Sequence, residues 1–163
     1  MRVVAQRSGK AECEVDDSIT GAIPFGLVVL VSIDPDDTDK DIIWMANKLS
    51  GLRIFPDDEG KMNRSILDLV EDWKSLPGST NENRPGILSI SQFTLHGKVK
   101  KGFRPSFDGA AKPEKAEKFY NLLNDALRNY ELYVAEGIFG AMMKIRLVNE
   151  GPVTILIDSK GEF

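Results

Sequence analysis

Hydroxyl and amide side chains directly follow an apolar stretch in the run Ser91-Gln92-Phe93-Thr94-Leu95. Residues 87–93 are predicted to form a strand, which is apolar at first and turns polar at its end. Polar groups at strand ends often carry chemistry, because a rigid scaffold aims them. Ser91, Gln92 and Thr94, with the backbone N–H groups around them, are therefore candidates for handling a polar reacting group. The pattern alone still favours an ordinary polar strand end.

A Gly-Pro step is the second candidate, in Asn149-Glu150-Gly151-Pro152-Val153-Thr154 between two predicted strands. Glycine lets a ligand approach the backbone closely because it has no Cβ. An X-Pro bond is also where a cis peptide costs little. A cis bond there would hold the neighbouring carbonyls in an unusual, rigid direction. Taken by itself, the pattern favours a plain hairpin turn.

A basic stretch without acids, residues 97–106, is the third candidate. Its cations are Lys98, Lys100, Lys101 and Arg104. Cations neutralise phosphates, and aromatic rings such as Phe103 and Phe107 can stack on unpaired bases. The alternative is a solvated surface loop that the two rings anchor to the core. The net charge of −4 argues against a general nucleic-acid binder, which usually has a basic balance.

Cys13 and His96 are the only cysteine and histidine, so the chain can form no internal disulfide and no zinc site of the usual ligand types. We expect no metal and no cofactor. His96 is expected to be exposed rather than catalytic, because no orienting acid is evident. No apolar run approaches the roughly 20 residues of a membrane helix. These features predict a soluble protein of a reducing compartment, the cytoplasm, with no membrane partner.

The predicted elements that position these candidates are short strands and two or three helices. Strands are expected at residues 2–6, 11–15, 26–33, 52–55, 87–93, 132–135, 143–148 and 153–157. Thr38 or Asp39 is predicted to cap one helix and Gly51 to follow its end in a left-handed conformation. A second helix is expected at 64–73, and Pro113 is placed to begin another. Strands and helices do not alternate regularly, which predicts a β-rich single domain of α/β (α+β-like) class. Its core would be a mostly antiparallel, barrel-like sheet.

Together, the two polar motifs resemble the D-aminoacyl-tRNA deacylase family, also called the D-tyrosyl-tRNA deacylase family. Gln6-Arg7 and Gly102-Phe103-Arg104-Pro105-Ser106-Phe107 support the resemblance, which extends over nearly the whole chain. Residues 63–84 depart from the family pattern and are predicted to be an insertion in the single domain 1–163.

The resemblance implies a homodimer that hydrolyses the ester of D-aminoacyl-tRNA, and of glycyl-tRNA, as a proofreading step of translation. Each pocket would lie at the subunit interface, where a cis Gly151-Pro152 from one subunit excludes L side chains from the other's site. Backbone N–H groups of Phe93 and Thr94 would stabilise the oxyanion. The further expected site residues fall into three groups. Ser91 and Gln92 would complete the catalytic group; Arg7, Met143 and Asn149 would bind substrate; Lys98, Lys100, Lys101 and Arg104 would bind tRNA.

The sequence leaves two sets of alternatives, one for the mechanism and one for the function. Thr94 could act as a nucleophile, or the tRNA 2′-OH could position or activate water; we favour the second route, because Thr94 lacks a clear base. A non-catalytic RNA-binding module and a small-ester hydrolase using Thr94 are alternative functions.

Overall fold

A computed structural model describes residues 1–100 and 102–161, which form eight strands, three α-helices and two short 3-10 helices. The strands are β1 (Arg2–Val15), β2 (Ser18–Ile23), β3 (Gly26–Ser32), β4 (Phe55–Pro56), β5 (Met62–Arg64), β6 (Gly86–Ser91), β7 (Tyr133–Glu136) and β8 (Lys144–Asp158). The α-helices are α1 (Asp39–Ser50), α2 (Ile66–Ser75) and α3 (Pro113–Arg128), and the 3-10 helices are Asn81–Asn83 and Phe93–His96.

The long strand β1 organises the main sheet. Its first half pairs antiparallel with β3, its second half with β2, and β8 runs antiparallel along its other edge. Strands β6 and β7 extend the sheet in parallel from β3. The two ends of this path nearly meet, since a Cβ built on Gly21 of β2 would lie 2.5 Å from the Glu136 oxygen of β7. The prediction of a β-rich, mostly antiparallel, barrel-like domain is confirmed.

The sheet is apolar on both faces, and β3 shows why. Leu27 and Val29 belong to a core that the sheet shares with α1 and α3, which includes Met45 and Leu123. Val28, between them, points into a second core on the opposite face. A strand buried on both faces must be apolar at successive positions, which is the continuous run that the sequence shows.

In two places, the structure has one long strand where two short strands were predicted. Residues 2–6 and 11–15 both lie in β1, and residues 143–148 and 153–157 both lie in β8. The polar residues between them continue the pairing of β1 with β8 through irregular register, where bulges absorb extra residues. Residues 52–55 were also predicted wrongly, because only Phe55 and Pro56 form strand there.

Helix starts were predicted well and one helix end was not. Thr38 precedes α1, and its backbone N–H and side-chain hydroxyl each donate a hydrogen bond to the Asp41 carboxylate at 2.9 Å. Burial raises the pKa of Asp41, but hydrogen bonds from Ser159 and Thr38 outweigh it and lower the pKa to about 2. Pro113 begins α3 as expected. Gly51 follows α1 with φ −93°, so the predicted left-handed conformation is wrong.

The segment 63–84 contains α2 and packs back onto the strand β7. The Arg84 guanidinium lies over the Trp73 ring at 5.2 Å and over the Tyr133 ring at 5.9 Å. Lys74 Nζ, near the end of α2, pairs with Glu131 at 2.5 Å. That this segment is an insertion stays a prediction.

Candidate active site

The first motif lies where β6 ends beside β3. Ser91 is the last residue of β6, and the Gln92 N–H donates to the Val31 carbonyl at 2.7 Å. The chain then forms the 3-10 helix Phe93–His96, so the strand predicted at 87–93 ends two residues early. The motif therefore joins a rigid strand to a tight turn of helix.

Two side chains of this motif, Phe93 and Thr94, are exposed to solvent. Thr94 is exposed, and its Oγ1 accepts a hydrogen bond from Gln92 Nε2 at 2.6 Å. Phe93 is 55% exposed and meets Phe107 edge-on, with ring centroids 5.2 Å apart. Phe93 and Thr94 are therefore presented outward, while Gln92 holds the threonine hydroxyl.

His96 points the other way, into the protein. It is only 3% exposed, so the expectation of an exposed histidine is wrong. The 3-10 helix turns Thr94 and His96 in different directions, whereas a strand would have placed them on one face. Burial lowers the pKa of His96, and nearby Arg2 lowers it further, against the opposite effect of Asp34. The neutral imidazole is therefore favoured, and its place in the interior keeps it away from the exposed Thr94 hydroxyl.

The second motif is a bulge within β8, not the hairpin turn that the pattern favoured. Gln6 pairs with Thr154 and Ser8 pairs with Asn149. Residues 149–154 of β8 therefore lie opposite only residues 6–8 of β1. The Asn149 side chain closes the loop: Oδ1 accepts from the Val153 N–H at 3.1 Å, and Nδ2 donates to Thr154 Oγ1 at 3.0 Å.

The tip of this bulge is exposed backbone. Gly151 and Pro152 are exposed, and the peptide bond between them is cis, in agreement with the resemblance. Gly151 has φ +117°, a conformation that L residues rarely adopt. The tip of the bulge thus exposes a short piece of backbone with little side chain.

Arg7 supports the bulge from β1. Its Nε donates to the Glu150 carbonyl at 3.2 Å and its Nη1 to the Ile54 carbonyl at 2.8 Å. This guanidinium was expected to bind substrate. Its described contacts tie the bulge to the segment before β4, and its role in substrate binding stays a prediction.

Met143 lies apart from the bulge, in the core cluster beneath the end of β6. It packs against the cluster that contains Cys13 and Ile90, and its Sδ would collide with a Cβ built on Gly137. Met143 therefore supports the segment between β7 and β8, close to β6 rather than to the Gly-Pro step.

The two motifs are far apart within one chain. Ser91 of β6 pairs with Val31 of β3. Val31 pairs in turn with Val3 of β1, and Val3 pairs with Ile157 of β8. The bulge begins beyond Thr154, which is level with Gln6. At about 3.4 Å per residue and 4.8 Å per strand, this separates the motifs by roughly 10 Å along the strands and roughly 14 Å across them.

The basic loop is a small hairpin-like excursion beside the first motif. Lys98 and Ser106 exchange backbone hydrogen bonds at 2.8 and 2.9 Å, and Lys98, Lys100 and Arg104 are exposed. Lys101 lies outside the described residues. Phe107 anchors the loop by packing edge-on against Phe93, whereas the Phe103 ring is fully exposed at 104%.

Ser32, at the end of β3, is the site-adjacent residue that the sequence analysis missed. Its hydroxyl contacts both His96 and the Phe93 carbonyl. A lone polar residue closing an otherwise apolar strand was the available signal. Elsewhere, a polar cleft of about 540 Å³ beside α2 is lined by Arg53, Arg64 and Asp68 among others, and includes none of the predicted site residues. Within residues 1–100 and 102–161, no His, Cys, Asp or Glu group is arranged to hold a metal ion.

Across the same ranges, none of the helices has the length and apolar character needed to cross a membrane. Comparison with known proteins then places the chain in a family. The family model for D-Tyr-tRNA(Tyr) deacylases matches residues 4–158. D-aminoacyl-tRNA deacylases of Bacillus cereus (strain G9842) and Bacillus cytotoxicus are each 49% identical over 160 residues, covering 98% of this chain and 100% of the relative.

Two solved structures share the fold of this chain. The c-Myc DNA unwinding element binding protein superposes with a TM-score of 0.81 and 37% identity, covering 97% of this chain and 98% of the other. A protein described as a probable eukaryotic D-amino acid tRNA deacylase shares the fold, with a TM-score of 0.77, 20% identity and coverage of 96% and 97%. The chain belongs to the D-Tyr-tRNA(Tyr) deacylase family.

Proposed function

We propose that this protein hydrolyses the ester bond of D-aminoacyl-tRNA, releasing the free D-amino acid and tRNA. The observation that carries the proposal is full-length membership of the deacylase family together with both polar motifs on exposed, well-braced backbone. The reaction removes wrong-handed amino acids from tRNA, which is proofreading in translation. Glycyl-tRNA is a second expected substrate, because glycine has no side chain for the site to reject.

The proposed reacting end of the site is the motif that begins at Ser91. Water attacks the ester carbonyl, the resulting oxyanion accepts hydrogen bonds from the Phe93 and Thr94 N–H groups, and the ribose oxygen leaves with a proton. A preorganised donor of this kind contributes about 2.7–4 kcal/mol in characterised hydrolases. Gln92, held on Thr94 Oγ1, would keep the turn in shape.

We favour activation of the water by the tRNA 2′-OH over attack by Thr94. The Thr94 hydroxyl accepts from Gln92, an amide that cannot act as a base. His96, the one histidine, is buried and directed inward. The test pairs Thr94→Ala with a 2′-deoxy terminal adenosine. We expect the wild type to react slowly with the 2′-deoxy substrate and the Thr94→Ala variant to remain active on the normal substrate. An inactive alanine variant beside normal turnover of the 2′-deoxy substrate would reject this route.

Discrimination by handedness is proposed to need two copies of the chain. In one copy, the Gly151-Pro152 bulge and the Thr94 turn are separated by roughly 10 Å along the sheet and roughly 14 Å across it. This separation supports a pocket in which the bulge of one molecule meets Thr94 of a neighbouring molecule. The bulge carbonyls would hold the α-amino group and leave no space for an L side chain.

The surface of β8 supports such a dimer. Among the described residues, β8 pairs only with β1, so its other edge is open to a second chain. Val148 and Leu156 on this strand are 61% and 58% exposed. Burial of these two apolar side chains against a partner would add to the stability of the dimer. The expected mass in solution is that of a homodimer.

The basic loop is proposed to bind the tRNA phosphates. Exposed Lys98, Lys100 and Arg104 stand beside the Phe93 turn, with Phe103 exposed among them, and Lys101 is included from the sequence alone. Local positive charge can bind RNA even when the total charge is −4, because screening limits electrostatic reach to about 10 Å.

One assay separates this function from its alternatives. The protein is incubated with D-tyrosyl-tRNA, L-tyrosyl-tRNA and a free D-tyrosine ester. Selective release from the D-tRNA is expected. Binding without turnover would indicate a non-catalytic RNA-binding module, and cleavage of the free ester at a similar rate would indicate a small-ester hydrolase. Either outcome rejects the proposal.

A further inference from the structure

Ser32 and His96 form a buried pair directly beneath the Phe93 turn. Ser32 Oγ lies 2.6 Å from His96 Nδ1 and 3.3 Å from the Phe93 carbonyl oxygen. The two residues are 2% and 3% exposed, so water does not compete for these contacts. The serine hydroxyl therefore links an interior imidazole to the backbone of the first motif.

The hydrogen count determines how this link must be arranged. A serine hydroxyl has one proton to donate and lone pairs to accept with, whereas a carbonyl only accepts. Ser32 can donate to Phe93 and still bond His96 only if the imidazole donates from Nδ1. The proton order is then His96 Nδ1–H to Ser32 Oγ, and Ser32 O–H to the Phe93 carbonyl.

The Phe93 carbonyl and the Thr94 N–H belong to the same peptide group. That group is planar and trans, so its C=O and N–H point in opposite directions. A donor that holds the carbonyl from inside therefore directs the Thr94 N–H outward. Hydrogen bonds in a chain also polarise one another, which makes the N–H a stronger donor.

The other imidazole nitrogen faces acidic surroundings. His96 Nε2 lies 3.6 Å from Asp34 Oδ2, which is beyond a normal hydrogen bond, and Asp34 Oδ1 pairs with Lys160 at 2.5 Å. Burial favours a neutral ring with a single proton. The position of that one proton decides whether Ser32 is free to serve the Phe93 carbonyl.

We propose that His96 and Ser32 are positioning residues for deacylation: the imidazole keeps its proton on Nδ1, so that Ser32 donates to the Phe93 carbonyl and aims the Thr94 N–H at the oxyanion. This inference rests on the proposed function, in which that N–H stabilises the reaction intermediate. His96 touches no substrate and transfers no proton in the reaction.

The first test reads the proton directly in the wild-type protein. His96 is the only histidine, so a protein labelled with ¹⁵N-histidine gives one imidazole spectrum that needs no assignment. At neutral pH we expect the chemical shifts and couplings of the Nδ1–H tautomer. The Nε2–H tautomer would overturn the inference, because Ser32 would then donate to His96 instead of to Phe93.

The second test uses matched variants. Ser32→Ala removes the link and is expected to lower kcat on D-tyrosyl-tRNA about tenfold while KM stays within about twofold, since a misaimed donor loses part of the 10²–10³-fold effect of a deleted one. Ser89→Ala is the control, because this serine is equally buried and its hydroxyl has no partner among the described residues. It is expected to leave kcat unchanged.

A third pair of variants separates the imidazole's donor from its bulk. His96→Asn can place an amide N–H near the Nδ1 position and is expected to retain most of kcat, whereas His96→Leu is expected to match Ser32→Ala. Equal kcat for the asparagine and leucine variants would overturn the inference. Turnover by the wild type with kcat unaffected by Ser32→Ala refutes this inference alone, whereas no turnover by the wild type refutes the proposed function with it.

Discussion

Gly151→Ala is the perturbation that most directly tests the role of the β8 bulge. Gly151 has φ +117°, outside the left-handed helical region that some L residues tolerate. A Cβ at this position would lie 2.7 Å from Val153 Cγ2 and 2.8 Å from Arg7 Nη2. The variant therefore combines backbone strain with two close contacts, one of which involves the arginine that supports the bulge.

The free-energy cost can be worked from these contacts. A sparsely populated backbone conformation costs about 1–3 kcal/mol. Moving Arg7 weakens its hydrogen bonds to Glu150 and Ile54, of which one is exposed, so we assign them about 1 kcal/mol together. The native bulge should lose about 2–4 kcal/mol. Gly60→Ala is the matched control, because it has φ +77° and no atom within 4 Å, and it should cost about 1–2 kcal/mol.

The assay compares deacylation of D-tyrosyl-tRNA with urea unfolding for both variants. Because the bulge is looped out of the β1–β8 pairing, it can rearrange locally, so unfolding stability should fall less than activity. A bulge misplaced at a cost of about 2–4 kcal/mol predicts a decrease of about 30- to 900-fold in kcat/KM. If Gly151→Ala matched Gly60→Ala in kcat/KM, the placement of this bulge in a substrate pocket would be refuted.

Three further outcomes are expected. Asp41→Asn should lower the free energy of unfolding by about 1 kcal/mol at pH 7, after allowance for the partial exposure of the carboxylate. The folded-state pKa of Asp41, about 2, lies below the ordinary 3.8. The free-energy cost of the substitution should therefore disappear as the pH falls from about 4 to about 2 in urea titrations. Gly26→Ala should destabilise by more than about 3 kcal/mol, since φ is +136° and its Cβ would lie 2.0 Å from a β6 carbonyl; melting close to that of Gly60→Ala would contradict this. Reversing charge at Lys98 and Arg104 should weaken tRNA binding and reduce the slope of log K against log salt by about 1.5, and an unchanged slope would exclude phosphate contacts there.

Elements with a strong local signal were predicted correctly. The capped start of α1 after Thr38 and the start of α3 at Pro113 follow from side-chain chemistry within one turn of helix. The apolar run of β3 likewise indicated a buried strand, because both of its faces are covered. Such signals need only a few consecutive residues, so one sequence is enough to interpret them.

Elements that depend on pairing across the sheet were predicted less well. β1 and β8 each looked like two short strands, because polar residues interrupt their apolar pattern. Their continuity comes from each other, since the polar stretch of one strand pairs with the irregular stretch of the other. The Gly-Pro step could not be recognised as a bulge for the same reason: a bulge is defined by the register of two strands that lie far apart in sequence.

The candidate site shows the same division. The family, the two motifs and the cations beside them could be predicted from the sequence, because residue type and order carry that information. The tertiary structure was needed to show that His96 is buried on Ser32 and not exposed near Thr94, and that Phe103 is exposed while Phe107 packs on Phe93. It was also needed to show that the two motifs lie on strands separated by β3 and β1. These features could not be predicted because burial, distances between motifs and hydrogen-bond partners depend on segments that lie far apart in the sequence. Such segments come together only when the strands of the sheet pair in a defined register.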